Sequence, residues 1–126
     1  MIAVELLEKA RRAAESAAVL LEDGDLDGAA SRAYYAMFHA ARAALESEGV
    51  QTGGRKHGTI LGEFSRQFVK TNRVPREFGR ILNVTQELRH EADYEGAALP
   101  NTSVHRAVSE AKRFVATIET LLGRSD

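Results

Sequence analysis

Three groups of residues in this 126-residue chain have types and spacings that could do chemistry. The first is Arg32, Tyr35 and His39, followed on the same helical face by Arg42 and Glu46. A guanidinium, a phenol and an imidazole at i, i+3 and i+7 point the same way from a helix. Such a trio binds a phosphate or passes a proton. A hydrogen-bonded seam between helices or subunits asks for the same residues. With no partner nucleophile in the sequence, that simpler reading is preferred. The second group is Arg89-His90-Glu91-Ala92-Asp93-Tyr94, where Arg89 and Asp93 share a face. An i,i+4 ion pair at a surface contributes only a few tenths of a kcal/mol, and base-before-acid is its weaker order. The pair is therefore poorly explained by local helix stability alone. The third is Gly53-Gly54-Arg55-Lys56-His57-Gly58. Arg55 and Lys56 beside glycines at a helix start suit an anion, although the P-loop spacing is absent. A solvated loop fits equally well.

Other chemistries are excluded by what the chain lacks. It has no Cys, so disulfides, zinc fingers, iron–sulfur sites and thiol nucleophiles are out. The four His, at 39, 57, 90 and 105, fit neither HxxxH nor HExxH, so no metal and no cofactor is expected. There is no nucleophile elbow and no helix-turn-helix signature. No apolar run approaches a membrane span. Acids at Glu5 and Glu8 interrupt the stretch that an export signal would need, so a cytoplasmic location is expected. The formal net charge is −1, yet residues 55–89 hold eight basic and three acidic side chains. Arg supplies 13 of the 17 basic residues, the type suited to phosphate and carboxylate forks. This block either meets the acidic flanks across the fold or a dimer, which is slightly preferred, or forms an anion-binding face.

The elements that must position these groups read as helix throughout. The spacing predicts a first helix over about 2–22, with Leu7, Ala10, Ala14, Ala17 and Leu21 as its apolar stripe. Gly24 ends it, and Asp25 or Asp27 caps a second helix over about 26–48 that stops at Gly49. A third helix is expected over about 57–71 and a fourth over about 75–94, with Pro75 in its first turn. Thr102 or Ser103 is expected to cap a fifth. The second helix has three faces: Tyr34, Phe38, Ala41 and Leu45; then Ala29, Ala33, Ala40 and Ala44; then the polar seam. Apolar or small residues on two sides place it at the centre of a bundle. The fold class expected is all-α, an antiparallel up-and-down bundle of four or five helices forming one domain over 1–126. The surplus of apolar faces also predicts a symmetric homodimer.

The stretch Asp27-Gly-Ala-Ala-Ser-Arg-Ala-Tyr-Tyr-Ala-Met-Phe-His-Ala-Ala-Arg-Ala-Ala-Leu45 resembles the second helix of HEPN domains, named for higher eukaryotes and prokaryotes nucleotide-binding. Lys56-His57-Gly58, Phe64-Ser-Arg-Gln-Phe-Val-Lys70 and Leu88-Arg-His-Glu-Ala-Asp-Tyr94 fit the short, stand-alone prokaryotic members in order. The resemblance implies a dimeric helical bundle, frequent pairing with a small nucleotidyltransferase, and often a toxin–antitoxin role involving RNA or nucleotides. It also implies that Arg32, Tyr35, His57, Arg89, Asp93 and Tyr94 carry the subfamily pattern, with Tyr94 a candidate acceptor for nucleotidylation. Many such proteins are metal-independent ribonucleases with an R-x4–6-H motif on a late helix. Here Arg80 and Arg89 have no His at that downstream spacing, and the literal match, Arg32 to His39, lies on the second helix. A non-catalytic module is therefore expected, with a ribonuclease and a helical interaction scaffold as alternatives.

Overall fold

A computed structural model describes residues 2–94, 96 and 98–123. Its helices are α1 (Ile2–Glu22), α2 (Leu26–Ser47), α3 (His57–Phe64), α4 (Glu77–Tyr94) and α5 (Asn101–Leu121), with a π-helical turn (Ser65–Val69) continuing α3. The described residues contain no strand, and the protein is an all-α helical bundle.

The first two helices stop for the same local reason. Gly24 and Gly49 each take a φ of +86°, which an L side chain rarely adopts. Asp25 N–H donates to the Leu20 carbonyl and Gly24 N–H to that of Leu21; Val50 and Gly49 repeat the pattern onto Leu45 and Glu46. Both ends are Schellman caps, which satisfy carbonyls that the helix leaves open. Asp25 then starts α2, its carboxylate accepting from the Gly28 N–H at 2.9 Å. The three-residue turn reverses the chain, so α1 and α2 lie antiparallel.

Every other helix packs on α2. Its alanines at 29, 30, 33, 36, 40, 41, 43 and 44 have no solvent exposure. Methyl-sized side chains let neighbouring backbones approach closely, as the small-residue face requires. The core beside them is aromatic: Phe114 packs on Phe78 at 4.5 Å and Phe64 at 5.6 Å between ring centres, and Phe64 stacks on Phe68 at 5.3 Å. Contacts from Tyr35 to Arg89 and from Glu48 to Arg73 run α4 antiparallel to α2.

Two boundaries differ from the sequence expectation. The third helix widens into a π turn at Ser65, where Lys70 N–H reaches back five residues to the Ser65 carbonyl. The chain then leaves through Asn72, at a φ of +61°, rather than running as an α-helix to 71. The fifth helix begins at Asn101 behind Pro100, whose fixed φ suits a helix start, so neither Thr102 nor Ser103 is its cap. Pro75 precedes α4 by a tight turn in which Phe78 N–H donates to its carbonyl.

Phe114 is fully buried where α3, α4 and α5 meet. Phe114→Ala should destabilise the protein by about 3–5 kcal/mol in urea unfolding followed by circular dichroism. A loss below about 1 kcal/mol would show that this junction is not packed as described.

Candidate nucleic-acid site on the polar seam

The polar seam of α2 faces the last turns of α4 and the start of α3. Arg89 crosses from α4 and donates from Nη2 to the Tyr35 hydroxyl at 3.0 Å. Its guanidinium carbon lies 5.4 Å from the Tyr34 ring centre and 5.3 Å from that of Tyr35. Both distances fit a cation over an aromatic face. Asp93 places Oδ2 3.0 Å from Arg89 Nε, and the two side chains are 24% and 35% exposed. The N–H direction is wrong for a hydrogen bond, so Nε is buried with no acceptor among the described residues. Arg89 is thus held by charge and by two rings, with donor capacity left over.

His57, the first residue of α3, completes the cluster from a third element. Its Nδ1 lies 3.1 Å from the Tyr34 hydroxyl, and its ring packs on Phe38 at 4.0 Å between centres. Burial pushes the Tyr34 phenol up to about 12 despite the opposing pull of Arg89. It stays protonated and can donate to His57. Burial, then the charges of Arg89 and Arg42, lower the His57 pKa and favour a neutral imidazole.

A clamp fixes the approach to His57. Arg42 Nε donates to Thr52 Oγ1 at 2.7 Å, while Glu46 Oε2 accepts from the Thr52 amide at 2.7 Å and its hydroxyl at 2.8 Å. Thr52 is only 2% exposed, so the loop after α2 is tied to the helix it has just left.

The sequence-derived residues divide accordingly. Tyr35, His57, Arg89 and Asp93 come together. Arg32 is exposed, 5.7 Å from the Tyr35 ring centre, and His39 packs beside the same ring at 6.0 Å. Arg55 and Lys56 are exposed on the loop. Tyr94 turns outward at 69% exposure, its ring 4.9 Å from that of His90. His90 is exposed and its ring accompanies that of Tyr94. Tyr34 and Thr52 were missed. Tyr34 reads as an ordinary core position, and the adjacent Tyr-Tyr pair was the available signal. The basic block is partly neutralised by ion pairs, Arg66 with Glu63, Arg73 with Glu48 at 3.2 Å and Arg89 with Asp93 at 3.0 Å. Arg55, Lys56, Lys70, Arg76 and Arg80 have no ion-pair partner among the described residues. No three His, Asp or Glu side chains gather for a metal among the described residues. Nor is any described helix long and apolar enough to cross a membrane.

The family model for the HEPN domain matches residues 3–121. The chain belongs to the HEPN family. A relative from Thermotoga maritima named "UPF0332 protein" is 34% identical over 115 residues, covering 90% of this HEPN chain and 86% of the relative. A Methanocaldococcus jannaschii relative named "Putative toxin MJ0605" is 31% identical over 117 residues, covering 93% and 86%. A second from that organism, "Putative toxin MJ0142", is 33% identical over 91 residues, covering 72% and 60%.

Two predictions follow from the seam of this HEPN protein. Asp93→Ala leaves the largely buried Arg89 without its counter-charge. It should cost about 1 kcal/mol in chemical unfolding, against less than about 0.5 kcal/mol if the pair were merely a surface one. The second concerns acid. Burial, then the charges of Lys9, Arg42, Arg32 and His57, lower His39 from 6.5 to about 4. Between those values the unfolded chain binds the proton and the folded one resists it. Stability is therefore full above about pH 6.5 and falls as the pH drops towards 4, by about 3 kcal/mol. His39→Gln should flatten that part of the pH–stability curve, with His57 leaving a smaller slope of the same sign. An unchanged slope in the variant would contradict the burial of a neutral His39.

Proposed function

We propose that this HEPN protein binds RNA or nucleotide phosphates through the Arg89, Tyr35 and His57 cluster. On this reading it acts as a single-domain cytoplasmic homodimer beside a small nucleotidyltransferase, in a toxin-like pair. The observation that carries the reading is Arg89. Its guanidinium is oriented by two rings and a carboxylate, is 24% exposed, and gives one hydrogen bond, to Tyr35, which leaves Nη donors without an acceptor among the described residues. A phosphate oxygen supplies such an acceptor, and Arg is the side chain whose fork matches it. Unpaired Arg55 and Lys56 at the start of α3 add positive charge beside His57. The two relatives named as toxins support the toxin-like role. Tyr94, exposed at the end of α4, is the hydroxyl a nucleotidyltransferase partner could reach.

A second reading, a metal-independent ribonuclease, is favoured by one observation. His57, 32 positions before Arg89 in the chain, meets it at Tyr34, the imidazole 3.1 Å from the hydroxyl and the guanidinium carbon 5.4 Å from the ring centre. A neutral imidazole takes the proton from a 2′-hydroxyl attacking the adjacent phosphate, while a guanidinium stabilises the charge that develops there. The spatial pair Arg89–His57 thus replaces the missing sequential motif.

The test uses purified protein and short structured and unstructured RNAs in chelator. Binding should weaken steeply as salt rises, and Arg89→Ala should lower affinity at least tenfold. Absence of any salt-sensitive binding would remove the proposal. Cleavage by the wild type that is lost in both Arg89→Ala and His57→Ala would establish the second reading instead. Sedimentation at micromolar concentration reads the dimer directly, and a monomer there would remove that part.

A further inference from the structure

The groove between α1 and α2 has no role in the cluster just described. Its polar lobe, about 410 Å³, is lined by Lys9, Arg12, Ser16, Arg32 and His39, three cations with no acid. Lys9, Arg12 and Arg32 are exposed and form no ion pair with any described residue, whereas Arg11, one position from Arg12, pairs with Glu8 and Glu119. Three cations line one lobe, and an anion bound there would offset their mutual repulsion. His39 adds a buried Nδ1 with no hydrogen-bond partner among the described residues. Continuous with this lobe, and sharing Arg12, Ser16 and Arg32, is a mostly apolar lobe of about 540 Å³ floored by Val19 and Leu20. Its acid, Glu15, lines this lobe together with Arg12 and Arg32, forms no ion pair with either, and is absent from the lining of the polar lobe. Val19 is 63% exposed there.

We infer that this groove is a second, separate site for a nucleotide, with the phosphate held by Lys9, Arg12 and Arg32 and the base lying on Val19 and Leu20. A free nucleotide and one residue of an RNA strand present the same chemistry. Both lobes fall in the size range of small-molecule pockets. A planar, largely apolar base joined to an anion matches a lobe of each kind sharing one wall. A simple inorganic anion would leave the apolar lobe unused. Arg32 connects the groove to the first site, because its guanidinium lies 5.7 Å from the Tyr35 ring on which Arg89 also rests. A strand held at Arg89 would therefore meet further cations in this direction. The charges facing His39 are Lys9 from α1, Arg32 and Arg42 from α2, and His57 from α3. A bound phosphate offsets that repulsion, so it should draw a proton onto His39.

The probes are 5′-AMP, inorganic phosphate and a short single-stranded RNA without terminal phosphates, added to the full chain while the imidazole resonances of His39 are followed by NMR. 5′-AMP should shift those resonances, raise the His39 pKa by at least half a unit and bind at least fivefold more tightly than inorganic phosphate. The double variant Lys9→Gln/Arg12→Gln, at exposed positions, should fold normally by circular dichroism and bind 5′-AMP at least tenfold more weakly. RNA bound by the double variant should show a log-affinity against log-salt slope shallower by about 1.4, for two lost phosphate contacts. If 5′-AMP binds this way while RNA does not, free nucleotide is the source, and the inference stands although the RNA reading of the Arg89 site falls. If RNA binds and depends on Arg89 but not on Lys9 and Arg12, and 5′-AMP leaves His39 unmoved, the inference falls and the Arg89 site survives. Equal affinity for inorganic phosphate and 5′-AMP would overturn the nucleotide assignment. Displacement of 5′-AMP by a hexaglutamate peptide of similar affinity would do the same, in favour of an acidic protein segment.

Discussion

The structure depends on one steric constraint: α2 must be touched by all four other helices. A helix packed on most of its circumference has room for little beyond methyl groups, and α2 complies with eight solvent-free alanines. Close approach of backbones replaces interlocking large side chains as the source of dispersion contacts. The large residues of α2, namely Tyr34, Met37, Phe38 and Leu45, occupy the spaces that the neighbouring helices leave between them. Where the neighbouring helices cover the surface only in part, the same element carries Arg32, Tyr35, His39, Arg42 and Glu46. The seam is therefore a product of the packing arrangement, and polar groups collect there because elsewhere they would be desolvated without partners.

That origin explains why one short stretch serves both stability and chemistry. Tyr34 and Tyr35 are adjacent in sequence and so point about 100° apart on the helix. Tyr34 faces the core and Tyr35 the seam, yet Arg89 lies against both rings. The guanidinium sits at the border between apolar interior and solvent, where a cation keeps its charge and its interactions are less screened than at an open surface. The same border keeps two imidazoles neutral by limiting their contact with water and surrounding them with fixed positive charge.

Local signals were legible in the sequence. Gly24, Asp25 and Gly49 each have a single conformational job, and helical periodicity sorted α2 into the faces seen in the bundle. Local rules reached less far where two conformations differ by little. The π turn at Ser65 leaves no mark in the apolar spacing, because Phe64 and Phe68 point inward under either winding. At α5, Pro100 takes the cap position that the hydroxyl side chains of Thr102 and Ser103 offer two and three positions later. The site was legible only as fragments. Periodicity relates residues on one helix, so it grouped Arg32 with Tyr35 and Arg89 with Asp93. It says nothing about pairs 54 positions apart, such as Arg89 and Tyr35, or 23 apart, such as His57 and Tyr34. Tyr94 shows the opposite failure: it is close to Arg89 in sequence but directed away from it in space.

The clamp at Thr52 bears on how the connection between α2 and α3 tolerates changes in length. Anchoring one residue in the middle of a connection divides it into two shorter arcs, each with its own closure entropy. The first arc, 48–51, is held at both ends, by a glycine-capped helix terminus and by Thr52, and an added residue there would pull the threonine out of register with Arg42 and Glu46. The second, 53–56, is exposed, contains two glycines, and leads into a helix secured by its own buried Ile60, Leu61 and Phe64. Insertions and deletions should be absorbed by that second arc. A peptide tag or a spectroscopic label placed between Gly53 and Gly54 would enter the chain with the least disturbance to the loop's attachment.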